Sequence, residues 1–558
     1  MMRVNCNLAF WRSQRQADVR RNFKQTQTPE SAQWTDHSSE RLEYKDFAWE
    51  RNWYPVAILA DVDGSKPIPV TLLGKKLVLW EVSKGNWSCV SDRCAHRYAP
   101  LSEGRVKDGD IQCAYHGWQY NSMGQCTRIP QAEDASACCS SAASVEAFPT
   151  QIRAGAVWVW PDSSPTAVTD SSLALPSIDT VLEESLEYID WYIRDFPYGY
   201  AGLTEMLLDP SHCPFTLHGI GLFNRRVLAT HADDKVSFFA LHRPHCCIWT
   251  VPSFPLVAYA PPLALHLSFK DQGKPMPSTL TECSTEGPTA RISVECARAF
   301  RPAGHPYDAT VTFNSPCHIT HDFVGVNGHV IHGMYILPVA PGRSRLFYWH
   351  KAGSPGGAPL DWLKSLRAPF GAGKAQLQRL VAAAEKFFVA YERCKRHMYL
   401  HPIFEAVGGL LHGQEQNMRG GESQAGFYMP SSADLLVTKF YAWLLGLAGG
   451  GPTWPPGTPQ LPPPQTDREA LLSRRHQHVA NCPSCQTMLA VNHRVRLAAS
   501  VGILLGSTAM VLCFSFGSPW YLCAAALALA YWSWKKRVQS EAWGRQFGFV
   551  DYVHANRN

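Results

Sequence analysis

Two short stretches, Cys94-Ala-His96 and Cys113-Ala-Tyr-His116-Gly-Trp118, decide how this chain is read, and sixteen residues lie between them. Each arm offers one thiolate and one imidazole. Two sulfur and two nitrogen donors in that order suit a 2Fe-2S cluster in which one iron keeps both thiolates and the other takes both imidazoles. Neutral imidazoles stand where a cluster with four cysteines has two more anions, so this cluster accepts an electron more readily. A structural zinc knuckle is the rival reading. It usually pairs Cys with Cys and His with His, whereas each arm here mixes them. Electron transfer is the first function this pattern implies.

The flanking residues Leu101-Ser-Glu-Gly104 and Gly117-Trp118 resemble the loops that wrap a Rieske cluster. In the Rieske proteins of respiratory and photosynthetic cytochrome complexes a disulfide ties those loops together. The matching positions here are Ala99 and Tyr115, so the resemblance is to the oxygenase or ferredoxin type.

The chain has 558 residues, enough for two or three domains with their own cores. Its net charge is +6 without a dominant basic block in the middle of the chain, which argues against nucleic-acid binding. The 18 cysteines are scattered and form no evenly spaced framework; with an iron–sulfur motif present, a reducing compartment is expected. Residues 1–33 carry Arg3, Arg12, Arg15, Arg20 and Arg21 against Asp18 and Glu30. That Arg-rich, acid-poor composition fits an organelle transit peptide, and it lacks the apolar core of a secretory signal. A disordered basic tail is the other reading.

From residue 47 to 165, short aromatic and β-branched runs such as 53–59, 76–80 and 156–160 alternate with glycine turns, as in an all-β domain. Ser163 to Leu175 reads as a linker. Residues 178–447 mix strand-like runs (236–241, 263–269, 345–350) with helical patterns at 374–391 and 433–447. The overall expectation is α+β: an all-β cluster domain followed by an antiparallel sheet with helices. A Pro/Gly linker covers 448–466. A Cys482-Pro-Ser-Cys485 segment lies within 474–494, and two uncharged apolar stretches fill 497–534. Arg494 and Arg496 precede those stretches and Lys535-Lys-Arg537 follow them, so they read as a transmembrane helical hairpin with both ends on one side.

A cluster that moves one electron at a time needs a partner site to work on oxygen. Asp209-Pro-Ser-His212 and His218-Gly219 supply a candidate. Two histidines and a carboxylate can hold a mononuclear non-haem Fe(II) with positions left open for O2. Asp209 lies one helical turn before His212 and can orient a ligating ring by hydrogen bonding, if the segment is helical.

Taken together, Cys94 to Gly104, Cys113 to Trp118, Asp209 to Gly219, the run Gly426-Phe-Tyr-Met-Pro-Ser-Ser-Ala-Asp434, the Cys pair and the apolar end resemble a Rieske non-haem iron oxygenase. The resemblance is to the plant and algal branch of pheophorbide a oxygenase, chlorophyllide a oxygenase and the chloroplast translocon Rieske protein. It implies ferredoxin as electron donor, O2 and a chlorophyll-derived tetrapyrrole as substrates, and a homotrimer in which Asp209 bridges the two iron centres. It further implies a chloroplast membrane, envelope or thylakoid, with the catalytic domains facing the stroma. Pheophorbide a ring opening is the leading activity. Chlorophyllide a oxygenation, or redox sensing at the import machinery without oxygenase activity, are the alternatives.

The chain departs from that pattern in two places. Glu205-Met206 stands where relatives have Glu-Asn, and Val407 occupies the expected position of the carboxylate ligand. Glu405 is the stand-in for the third iron ligand, with Glu415 or no carboxylate as rivals. The stretch 398–409 reads as an irregular insertion. Cys482 and Cys485 read as a redox dithiol addressed by thioredoxin, or as zinc ligands together with His476, His478 or His493.

Overall fold

Glycine-punctuated apolar runs in the first third of the chain become eleven short strands: β1 (Tyr54–Ile58), β2 (Ile68–Leu72), β3 (Lys75–Ser83), β4 (Asn86–Ser91), β5 (Arg105–Lys107), β6 (Asp110–Gln112), β7 (Gln119–Tyr120), β8 (Cys126–Arg128), β9 (Ala147–Phe148), β10 (Thr150–Arg153) and β11 (Ala156–Val159). The computed structural model describes residues 47–178, 182, 189–217, 220, 278–286, 289–300, 307–325, 328–351, 375–419, 424–459 and 461–552. The strands form three antiparallel sheets, ordered β1-β11-β10, β2-β3-β4-β9 and β5-β6-β7-β8. The first cysteine loop joins β4 to β5 and the second joins β6 to β7. Val78, Trp80, Val90, Leu101, Ile111 and Tyr120 pack around the bases of both loops.

The second domain is built on a seven-stranded antiparallel sheet of β12 (Ile189–Phe196), β13 (Ser278–Glu286), β14 (Thr289–Phe300), β15 (Tyr307–Asn314), β16 (His318–Gly325), β17 (Gly328–Ala340) and β18 (Arg343–Lys351). Its order, β12-β18-β17-β16-β15-β14-β13, is a meander closed at one edge by the earliest strand. The α+β architecture with a β-rich first domain is therefore as expected. The six helices used below are α1 (Ala167–Leu173), α2 (Tyr200–Leu208), α3 (Ala375–Met418), α4 (Leu435–Gly446), α5 (Pro483–Ser515) and α6 (Trp520–Arg545).

The two domains share one core. Trp49 Nε1 donates to Ala448 O at 3.1 Å, Trp49 and Trp443 rings lie 5.9 Å apart, and Trp158 meets Tyr335 edge-on at 5.2 Å. An ion network reinforces that seam. Arg393 of α3 pairs with Asp61, just after β1, and with Asp190 of β12 at 3.1 Å. Asp190 also accepts from Arg396 at 2.5 Å.

Several expectations change. Residues 163–175 are not a plain linker: they contain α1, and Ser171 O within it and Ala174 O just after it accept from Trp53 Nε1. No irregular insertion interrupts 398–409, which run inside α3 with Pro402 tolerated in the helix. The strand-like runs 236–241 and 263–269, and the transit-peptide segment 1–33, lie outside the described residues.

The apolar end folds as two packed helices, but it is not a pair of membrane spans. Among the described residues, α5 alone is long and apolar enough to cross a membrane. In α6 the uncharged run Trp520–Trp534 stops at Lys535-Lys-Arg537. Fifteen residues at about 1.5 Å each fall short of a bilayer core of about 30 Å. Gly502 and Gly506 let α6 approach closely: a Cβ on Gly506 would sit 2.7 Å from Ala530 N.

Candidate functional site

The first site lies where the two loops meet. Cys94 and Cys113 are buried at their bases, each fixed by its own backbone turn: Tyr98 N donates to Cys94 O at 2.9 Å and Gly117 N to Cys113 O at 3.1 Å. Gly117 has φ +76°, a left-handed conformation that glycine adopts without strain. Gly104 is required for a different reason, because a Cβ there would lie 2.1 Å from Gln112 O. The rings of His96 and His116 are 4.6 Å apart, and Trp118 stacks on His96 at 4.9 Å and 3°. Tyr120, which sequence reasoning did not single out, places its hydroxyl 3.1 Å from Cys94 Sγ and accepts from Ala95 N at 3.1 Å.

These residues fit a Rieske cluster. The donor set is two sulfurs and two nitrogens, and His96 Nδ1 is buried without a hydrogen-bond partner among the described residues. A buried ring nitrogen left unpaired is costly, and a metal at that atom removes the cost. Burial, then His116 and Arg97, hold His96 below its ordinary pKa, which keeps the ring in the neutral form that ligates metal.

The second site follows α2. Asp209 ends that helix in extended conformation (φ −105°, ψ 98°), so the expected helical continuation from Asp209 to His212 does not form. His212 sits in a 3-10 turn instead. Its Nδ1 donates to the backbone O of Asp209 at 2.5 Å, while the Asp209 carboxylate is 3.9 Å from that nitrogen and accepts from Ser211 N. A ring whose Nδ1–H is held by a carbonyl presents Nε2 to a metal. Burial opposes a charge on this ring, but Cys213, whose Sγ is 3.7 Å from Nε2, and Asp209 outweigh it and raise the ring to about 9, so a metal at Nε2 has to displace a proton. His218 lies outside the described residues.

Glu205, one turn before Asp209, accepts from Gln414 at 3.0 Å and from Tyr441. Burial pushes its carboxyl above the usual range. Glu205, Asp209, Gln414, Phe427, Met429 and Val437 line an open cleft of about 270 Å³.

The structure places Glu405 elsewhere. It is buried on α3, and Arg474 takes both oxygens, Nε to Oε1 and Nη2 to Oε2, each at 2.6 Å. Arg194 Nη1 approaches Oε1 at 3.4 Å. The carboxylate expected as a third iron ligand is thus the anion of a buried Arg–Glu–Arg group. Glu415 accepts from Gly199 N at 2.9 Å.

Cys482 and Cys485 are buried, and the structure brings them to His478 of their own segment and to His397 of α3. This His/Cys cluster is separate from the Rieske loops and is consistent with a second metal site. Of the histidines expected nearby, His476 bonds Ser473 Oγ at 3.0 Å and His493 faces Arg496. His397 had no local signal; it belongs to a long helical run, and its distance in sequence from the cysteines hides it.

A row of paired residues crosses the main sheet: His321↔His332↔His350↔Asp190. Neither ring nitrogen of His350 has a hydrogen-bond partner among the described residues, and burial holds its pKa down to about 4. The unfolded chain takes up this proton near 6.5. His350 therefore costs nothing above pH 6.5 and costs stability progressively as pH falls from 6.5 to 4. The full loss is about 3 kcal/mol. Denaturant titrations at pH 7.5 and 5 should show the drop, and His350→Gln should make it shallower. An unchanged slope in the variant would remove His350 as the cause.

The Rieske [2Fe-2S] domain family matches residues 52–149. A chloroplastic pheophorbide a oxygenase of Oryza sativa subsp. japonica is 28% identical over 554 residues, covering 91% of this chain and 85% of that one. A chloroplastic flavonoid 8-hydroxylase 2 of Ocimum basilicum is 29% identical over 452 residues, covering 79% and 73%. The chloroplastic protein TIC 55 of Arabidopsis thaliana is 35% identical over 176 residues, 32% of each chain.

Proposed function

We propose that this chain, a Rieske-domain protein homologous to the pheophorbide a oxygenase, chlorophyllide a oxygenase and TIC 55 branch of Rieske oxygenases, is a membrane-tethered oxygenase that opens the ring of pheophorbide a. Ferredoxin supplies its electrons. The observation that carries the reading is the pair of cluster loops, with His96 Nδ1 buried and unpartnered, in one folded unit with a domain that holds His212 by its Nδ1.

Cys94, Cys113, His96 and His116 would hold the 2Fe-2S cluster, and His212 with His218 the mononuclear iron. Together those groups would supply one-electron transfer and O2 chemistry. The chain's own contribution is placement. Tyr120 fixes the Cys94 loop, Asp209 O fixes the His212 ring, and the cleft beside Glu205 and Asp209 admits substrate. Exposed apolar residues along α5, among them Leu504 and Phe514, favour a lipid environment, where an amphipathic tetrapyrrole also partitions. The chloroplast location and the homotrimer of the resemblance belong to this reading.

Iron content and single turnover test it. The protein should hold three irons per chain. Reduced by ferredoxin, bound anaerobically to pheophorbide a and then given O2, it should change the pigment's spectrum. Chlorophyllide a, protochlorophyllide and a flavone are the parallel arms. A change with one of those alone moves the substrate. Two irons and no change with any of them leaves a redox-sensing Rieske protein.

A further inference from the structure

We propose that His397, His478, Cys482 and Cys485 hold a structural zinc ion that fastens α3 to the first turn of α5. The four donor atoms all lie within 4.8 Å of one another. His478 Nε2 is 3.1 Å from His397 Nδ1 and 3.4 Å from Cys485 Sγ. His397 Nδ1 is 3.5 Å from both Cys482 Sγ and Cys485 Sγ. Tetrahedral zinc bonded at about 2.0–2.1 Å to nitrogen and about 2.3 Å to sulfur separates its ligands by about 3.3 Å (N···N) and about 3.6 Å (N···S). The site is already close to those separations.

The outer hydrogen bonds fix which ring atoms face inward. His397 Nε2 donates to Trp191 O at 3.1 Å, and His478 Nδ1 donates to Ile193 O at 2.6 Å. Both carbonyls belong to β12. In neutral rings the two nitrogens that face each other at 3.1 Å are then both lone-pair acceptors, an arrangement that repels unless a cation or a donor lies between them. Ring N–H groups held by carbonyls are the usual support of metal-bound histidine.

The cysteines complete the set. Cys482 is the N-cap residue of α5 and Cys485 lies in its first turn. All four residues are buried, at 3% exposure or less. A closed four-ligand site without an open position is structural rather than catalytic. Burial also distinguishes it from a redox dithiol, whose attacking sulfur has to be reached by its partner. Two nitrogens and two sulfurs in tetrahedral array select zinc over the harder cations.

Metal analysis of the full-length protein supplied with zinc tests the site. One zinc per chain is expected beside the iron, with X-ray absorption at the zinc edge showing two sulfur and two nitrogen neighbours. Cys485→Ser and His397→Gln should each bring zinc to background while the visible absorption of the Rieske cluster stays. Three results overturn the proposal: folded wild-type protein without zinc, iron in place of zinc at these ligands, or a Cys482–Cys485 disulfide recovered intact from the native protein. If the variants fail to fold, the wild-type metal count and absorption edge decide alone. Zinc is read independently of iron and turnover, so its absence leaves the oxygenase reading standing.

Discussion

Cys94→Ser removes the visible absorption of the Rieske cluster and takes electron-dependent turnover to background. Serine offers the cluster iron a poor ligand where a thiolate is required. The fold survives, because the loop keeps its turn from Tyr98 N to Cys94 O and the packing of Leu101, Ile111 and Tyr120 beneath it. The stability cost is roughly 1–2 kcal/mol, the range of a single buried polar change. Absorption spectra and reductant-supported oxygen uptake, taken alongside a melt, separate these effects. Colour that persists in the variant would mean that Cys94 is not a cluster ligand.

Glu405→Ala acts on stability rather than on iron. The carboxylate sits between Arg194 and Arg474, and all three side chains are 3% exposed or less. Removing the only acid of that group leaves two guanidinium charges buried side by side, at a cost of about 3–5 kcal/mol. The denaturant midpoint should fall accordingly, with iron per chain unchanged in the fraction that stays folded. An iron count lower by one with an unmoved midpoint would return Glu405 to the metal.

What the sequence made legible was mostly local. The candidate cluster residues Cys94, His96, Cys113 and His116 lie in two short loops whose spacing carries their chemistry, and the structure brings the rings of His96 and His116 to 4.6 Å. Strand β18 and helix α4 follow from apolar runs that hold a single period. The parts the sequence leaves open depend on partners distant along the chain. The role of Glu405 is set by Arg474, 69 residues away, and by Arg194, 211 away. His397 meets Cys482 across 85 residues, so nothing near either one announces the other. Asp209 has the spacing of a helical neighbour of His212, but Pro210 follows it, and the residue before a proline avoids helical conformation. The apolar end has the total length of a hairpin of spans, but Lys535 leaves α6 an uncharged run too short for a bilayer core.

Helix α5 has one further consequence. It runs unbroken for 33 residues, about 50 Å at the usual rise. Its first turn is built into the protein beside His397, and its apolar run begins after Arg496 and reaches Ser515. No swivel separates the anchor from the body. Asn492 near its base is locked to Ser540 at 2.6 Å, which stiffens the joint further. On the proposed membrane-tethered reading, the cleft beside Glu205 keeps a set height and bearing over the bilayer, and a substrate leaving the lipid would meet the same face of the protein each time.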